Sequence, residues 1–255
     1  MAHRLTTAFA AVLSLSLAAC GTKEAPDPLA PTGPTGRVRF VNLITDPARV
    51  PANAILEGLP FGVNLGYGGT TPSSLPTPST AIYSPILTGD RRLVLKRTAD
   101  TSVTLATINF TVTASQDRTI YATGGTGGGA VTNFITNDDN TAPAAGQTRV
   151  RVVHLSPSAG PVDVFVTTTT ADLAAATPTL AGVAAQTASG YLSVAAGTYR
   201  IRLVPAGTPA ANRAANVLLD VASIVFPALG ARTIVAADAA AGGLPARAFT
   251  YNDRP

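Results

Sequence analysis

The sequence predicts an all-β protein: two tandem antiparallel β-sandwiches of Ig-like type, preceded by a leader and a Pro-rich tether. Three observations carry that expectation. Only 13% of the 255 residues are charged, about half the usual share, and Thr, Val, Ala, Gly and Pro fill the difference. That composition suits pleated, half-buried surfaces and turns rather than charge-laced helices. A unit of roughly 105 residues is written twice, and apolar residues recur with a period of two. The 46% hydrophobic content excludes a generally disordered chain. A single cysteine, Cys20, excludes an intrachain disulfide framework and any Cys-rich metal site.

The duplication is read from ordered matches. Arg37-Val-Arg-Phe-Val-Asn-Leu43 answers Arg149-Val-Arg-Val-Val-His-Leu155 at an offset of 112. Tyr83 and Gly89 answer Tyr191 and Gly197 at 108, Arg118-Thr-Ile120 answers Arg232-Thr-Ile234 at 114, and Asn137-Asp138 answers Asn252-Asp253 at 115. Constant order with drifting offset means duplication with loop insertions. The units are 37–140 and 149–255, with an insert around 70–80 in the first and a small, polar linker at 140–148. Each is expected to fold by itself, so that residues 149–255 alone would give a β-rich monomer.

Within a unit, Val162, Val164 and Val166 alternate with Asp163 and Phe165, and Tyr199, Ile201 and Leu203 alternate with Arg200 and Arg202. One apolar face and one solvated face are expected for each strand. Leu105–Thr113 is a further β-branched run, and strand-like segments arrive every 8–12 residues between Gly, Pro, Asn and Asp. A short helix at 171–176 is the one helical candidate.

The leader points to export. Arg4 precedes an apolar run from Leu5 to Ala19, too short to span a bilayer but suited to a secretory core. The run ends in Leu17-Ala-Ala-Cys20, followed by Gly21. This resembles a bacterial lipoprotein signal. The resemblance implies cleavage after residue 19, a diacylglyceryl group on the Cys20 thiol and an acyl chain such as palmitate on its amine. Gly21, rather than Asp, implies the outer membrane, facing periplasm or cell surface. Residues 20–36 then form a Pro-rich tether reaching up to about 50 Å, and the lipid is the expected membrane attachment.

The second unit's Arg-Val-Val-His-Leu-Ser-Pro start, its Val162-Asp-Val-Phe-Val166 and its Gly190-Tyr…Gly197-Thr-Tyr199 segment resemble the bacterial family called "domain of unknown function 4397". The resemblance is strong over 149–255 and looser over 37–140, and Ser158 stands where the family often has Asp. It implies an exported β-domain, often tandem, and brings no catalytic residues.

Candidate chemistry is sparse. His154, the one histidine beyond the leader, lies near Ser156 and Asp163, the residue types of a nucleophile–base–carboxylate relay. The duplication argues otherwise: His154 answers Asn42 and Asp163 answers Asn53, and Asn cannot serve as a general base. These four positions are expected to tie loops to strand ends, or to offer polar ligand contacts. Asn137-Asp-Asp-Asn140 and Asn252-Asp253 supply oxygens without a calcium-binding loop, so turns are expected and no metal. Gly124–Gly129 lacks the Lys-Ser/Thr and helix of a phosphate loop and reads as a hairpin.

The 16 arginines are expected on solvated strand faces, without the stripe or stacking aromatics that nucleic acid requires, leaving an incidental attraction to anionic lipopolysaccharide or phospholipid. Tyr83 and Tyr191 are candidates for a sugar-stacking pair or for plugs at the sandwich ends. The sequence thus predicts no enzyme and no cofactor, but a monomeric, lipid-anchored envelope module with a glycan or protein partner. The alternative is a periplasmic hydrolase using His154 and Asp163.

Overall fold

A computed structural model describes residues 33–72 and 82–254. The leader, Cys20 and most of the tether lie outside the described residues. The first half runs β1 (Thr35–Ile44), β2 (Ala52–Leu56), β3 (Leu59–Leu65), β4 (Thr70–Thr71), β5 (Ser84–Leu87), β6 (Gly89–Arg97), β7 (Asp100–Val112), β8 (Asp117–Gly124) and β9 (Val131–Asp138). The second repeats the plan: β10 (Gln147–Leu155), β11 (Val162–Thr167), β12 (Leu180–Val183), β13 (Thr187–Ala188), β14 (Leu192–Ala195), β15 (Gly197–Pro205), β16 (Leu219–Phe226), β17 (Ala231–Ala237) and β18 (Arg247–Arg254).

Each half pairs an inner and an outer sheet. The inner sheets have the order β4-β1-β8-β9, with β5 also on β1, and β13-β10-β17-β18, with β14 also on β10. The outer sheets are β3-β2-β6-β7 and β12-β11-β15-β16. The order is the same in both halves, strand for strand, as the duplicated motifs require. The sandwiches are mixed rather than purely antiparallel, because β1 runs parallel to β8 and β10 parallel to β17. A parallel pair needs a long crossover, and the outer sheet supplies it in each half.

Three apolar layers hold the stack. Val38, Phe40, Leu93, Leu95, Ile108 and Ile120 fill the first sandwich, and Val152, Val164, Ile201, Leu203, Phe226 and Ile234 the second. The third layer lies between the two inner sheets, where Val41, Leu43 and Tyr121 meet Val153, Leu155, Val235 and Tyr251. The protein is therefore four sheets deep, and β1 and β10 are covered on both faces. That is why, beyond Arg37 and Arg149 at their starts, their sequences read as largely apolar runs interrupted by Arg39 and Asn42 in one and by Arg151 and His154 in the other.

The alternation in β11 and β15 leaves a solvated face only in part: Arg200 pairs with Asp220 at the surface, but further along that face is covered. Phe165 and Arg202 are buried, under the 168–179 loop and a 3₁₀ segment at Ala210–Asn216. Leu173 packs on Phe165, the Arg213 guanidinium lies 5.0 Å from that ring, and Arg202 Nη2 donates to Thr167 Oγ1 and the Ala171 carbonyl. Residues 171–176 form turns instead of the expected helix. Six residues closed by Thr177-Pro178 are too few to repay helix nucleation.

Candidate functional site

The polar residues that repeat in both halves converge on the seam between the inner sheets. Arg39 on β1 is 2% exposed and Arg151 on β10 is 3% exposed, so neither is on the solvated strand face expected for the arginines. Each guanidinium crosses to the other half. Arg39 Nη2 meets Asp253 Oδ1 at 2.6 Å and its Nη1 donates to the Asn252 carbonyl at 2.7 Å. Arg151 Nη2 meets Asp138 Oδ1 at 2.5 Å and its Nη1 donates to the Asn137 carbonyl at 3.0 Å.

The rest of each shell is doubled in the same way. The two Nε atoms donate to Thr119 Oγ1 and Thr233 Oγ1 at 3.0 and 2.9 Å, and those hydroxyls donate in turn to Asp138 and Asp253. Tyr83 Oη donates to Asp138 Oδ2 and Tyr191 Oη to Asp253 Oδ2, both at 2.8 Å. The tyrosine rings lie 4.7 Å from the guanidinium carbons of Arg39 and Arg151 respectively. Burial drives both tyrosine hydroxyls well above their ordinary pKa, so they act as donors. Burial opposes the Arg39 charge, but Tyr83, Tyr121, Asp253 and Asp138 outweigh it and raise its pKa. A buried cation is tolerated only when paired and hydrogen-bonded; here all three guanidinium nitrogens of Arg39 donate and Asp253 pairs with the charge.

These contacts correct two expectations. Asn137-Asp138 and Asn252-Asp253 are not surface turns: each motif accepts the opposite half's arginine, through its Asn carbonyl and its Asp carboxylate. Tyr83 and Tyr191 are neither exposed platforms nor end plugs, but lids on the seam charges. Among the described residues no group of three or more His, Cys, Asp or Glu is placed to hold a metal.

The four nominated positions lie elsewhere, in two matched pairs. Asn53 on β2 accepts from the Asn64 backbone N–H and the Thr98 hydroxyl at 2.8 and 2.9 Å. Asp163 on β11 accepts from the backbone N–H groups of Gly182 and Gly207 at 2.8 and 3.3 Å. Each side chain thus stitches a neighbouring strand to the loop after β6 or β15. Asn42 donates to the Leu65 and Gly66 carbonyls. His154 is fully buried, with Nε2 2.8 Å from the Gly160 carbonyl. Ser156 donates to Asp238, as does Ser158. The Ser156, His154 and Asp163 side chains therefore bond to separate partners and form no relay.

His154 makes a testable contribution to stability. A carbonyl accepts, so Nε2 carries the proton, and Nδ1 is buried without a partner. Burial disfavours the imidazolium and lowers the ring's pKa below 6.5. The unfolded chain then takes up this proton at higher pH than the folded one. Stability is full above about pH 6.5 and falls as the pH drops below it. Exchanging His154 for the first half's residue, His154→Asn, is expected to flatten the decline in Tm between about pH 7 and pH 5. Parallel Tm curves for the two proteins would refute this.

Two openings flank the seam. At the end where β1 and β10 begin, a cleft of about 540 Å³ is lined by Arg37, Ser115, Asp117, Asp139 and Asn140. At the other end a smaller one of about 100 Å³ lies between Leu43, Thr126, Leu155 and Asp238. The Gly124–Gly129 run is the β8–β9 hairpin, its Gly128 and Gly129 carbonyls accepting from Arg49 at 2.6 Å.

Fold and seam define an all-β protein made of two like sandwiches clamped face to face through crossed arginine–aspartate pairs. The chain belongs to the family described as "Domain of unknown function (DUF4397)", which matches residues 36–165. The match covers the first sandwich and runs on through most of β11. The stronger resemblance was expected over 149–255 and the looser one over 37–140; the family match falls instead on the first half. No curated protein matches the chain. Among solved structures it is similar to a leucine-rich repeat protein from Bacteroides thetaiotaomicron VPI-5482, at 14% identity and a TM-score of 0.18 over 81% of this chain and 26% of that one. The chain thus spans about a quarter of that protein's length.

Proposed function

We propose that this is a non-enzymatic, lipid-anchored protein of the bacterial envelope, an outer-membrane lipoprotein serving as a rigid interaction or scaffold module. The observation that carries the reading is the use made of the repeated polar residues. Arg39, Arg151, Asp138, Asp253, Tyr83 and Tyr191 face one another across the seam, and Asn53 and Asp163 brace loops. A duplicated active site would leave a matched, accessible set of reactive groups in both halves. On this reading both halves are copies of the family domain, the leader is a lipoprotein signal, and Cys20 carries the acyl groups. The module is a monomer with a glycan or protein partner, no nucleic-acid ligand and no cofactor. Among the described residues no helix is long and apolar enough to cross a membrane, so the lipid is the attachment proposed. The hydrolase alternative would rest on His154 and Asp163, whose side chains bond to separate backbone groups.

Cys20→Ser tests the anchor in the organism that makes the protein. The unaltered chain should fractionate with membranes and carry the added mass of acyl chains. The variant should lose both and accumulate uncleaved. Unchanged mass and fractionation would exclude Cys20 as the lipid site.

A further inference from the structure

The stack has two unlike ends. β1 and β10 begin side by side, as the contacts of Asn140 with Asp117 and Arg254 show, and this leading end is also where the chain runs back towards Cys20. Arg37 and Arg149 are neutralised there by Asp117 and Asp139. Arg91, Arg118, Arg232 and Arg254 are not: among the described residues none of these four forms an ion pair. Their guanidinium groups donate to backbone or amide oxygens instead, at Leu87, Gln116, Val225 and Asn140 respectively. Such bonds aim a cation without cancelling its charge. The acids beside Arg91 are Asp90, which accepts from Thr111, and Glu57, which accepts from the Arg92 backbone N–H.

Exposed apolar side chains share this end. Leu87, opposite Thr35, is 41% exposed; Val225, whose carbonyl holds Arg232, is 58% exposed; and Leu229, in the β16–β17 hairpin, is 51% exposed. Gly33, where the described chain begins, lies against Leu87. The thirteen residue steps from Cys20 to Gly33 span up to about 40 Å in extended polyproline geometry. Uncompensated arginines interleaved with exposed apolar groups, beside an acylated tether, match the two demands of a bilayer interface: anionic headgroups and an apolar boundary.

We propose that the leading end of the stack docks onto an anionic phospholipid surface, with Arg91, Arg118, Arg232 and Arg254 on headgroup phosphates and Leu87, Val225 and Leu229 at the acyl boundary. The proposal builds on the lipid-anchor reading, which brings this end to the membrane, but its test does not need the anchor. Residues 21–255 contain every described strand, so that chain keeps the fold without acyl groups. At low ionic strength it should float with vesicles of phosphatidylglycerol and phosphatidylethanolamine, and stay free of pure phosphatidylcholine vesicles.

Arg91→Gln with Arg254→Gln should weaken vesicle binding by roughly fivefold per arginine, about 25-fold together. Lysine at both positions should restore it, which separates lost charge from a disturbed fold. Lys96→Gln with Arg247→Gln removes the same charge at the opposite end, and should change binding by less than about twofold. No binding by the unaltered chain, or equal losses from the two pairs, would overturn the proposal. The mass of Cys20 in the cell-made protein is scored independently. Acylation without vesicle binding sinks the docking surface alone, and vesicle binding without acylation sinks the anchor alone.

Discussion

Arg39→Met is expected to destabilise the protein by about 3–5 kcal/mol, read as a lower denaturant midpoint at unchanged slope. The methionine nearly fills the space, so the loss is electrostatic: Asp253 is left charged in the seam with only Thr233 and the tyrosines to satisfy it. Arg151→Met should lose less. Arg39 has both seam carboxylates within 4 Å, at 2.6 and 3.7 Å, whereas Arg151 pairs with Asp138. Combining Arg39→Met with Asp253→Leu should recover much of the loss, since an apolar pair of similar volume replaces a buried ion pair at little cost. Equal destabilisation by the single and double variants would mean that shape, not charge, holds the seam.

The second large effect concerns the halves themselves. Residues 147–255, which keep all of β10, are expected to self-associate when produced alone, rather than form the monomer that the sequence suggests for 149–255. Without the first half, Val153, Leu155, Val235, Phe249 and Tyr251 lose their cover, and Arg151 and Asp253 lose their partners. Because the crossed pairs are related by a pseudo-two-fold, the bare face is complementary to itself: Arg151 of one copy can meet Asp253 of another, twice, as in an isologous dimer. Sedimentation should show a dimer that dissociates when Asp253 is replaced by Arg. A monomer as resistant to denaturant as the whole chain would show that the seam contributes nothing.

Much of this architecture is legible in the sequence. The motif matches give the duplication, the period of two gives the strands, and the answering pairs His154/Asn42 and Asp163/Asn53 argue against a relay. The seam is not legible, although every residue that builds it stands inside the matched motifs. Alternation tells which side chains share a face but not what lies over that face. Arg39 and Arg151 therefore read as solvated, and Asn137-Asp138 and Asn252-Asp253 as turns, because nothing local reveals that a second sheet covers them. Phe165 and Arg202 mislead in the same way: they are covered by the 168–179 loop and the 210–216 segment, and nothing in the alternation shows that these fold back over that face. The parallel β1–β8 and β10–β17 pairs join strands about 80 residues apart, beyond the reach of any local signal. One clue was present. Arginine, tyrosine and aspartate kept at equivalent places in both copies of so charge-poor a chain is more economically explained by mutual pairing than by two independent solvent contacts.

The position of β1 has a mechanical consequence. The strand nearest the tether is not at the margin of its sheet: it is flanked by β8 along Arg37–Ile44 and by β5 and β4 on its other side. A force applied through residue 33 runs along this strand, and its parallel hydrogen bonds to β8 share the load in shear instead of parting one at a time as in peeling. If the proposed anchor holds, a body tied down by its first strand can take drag or thermal tugging without unravelling from the point of attachment, and the proposed acyl chains would leave the bilayer before the strand leaves the sheet.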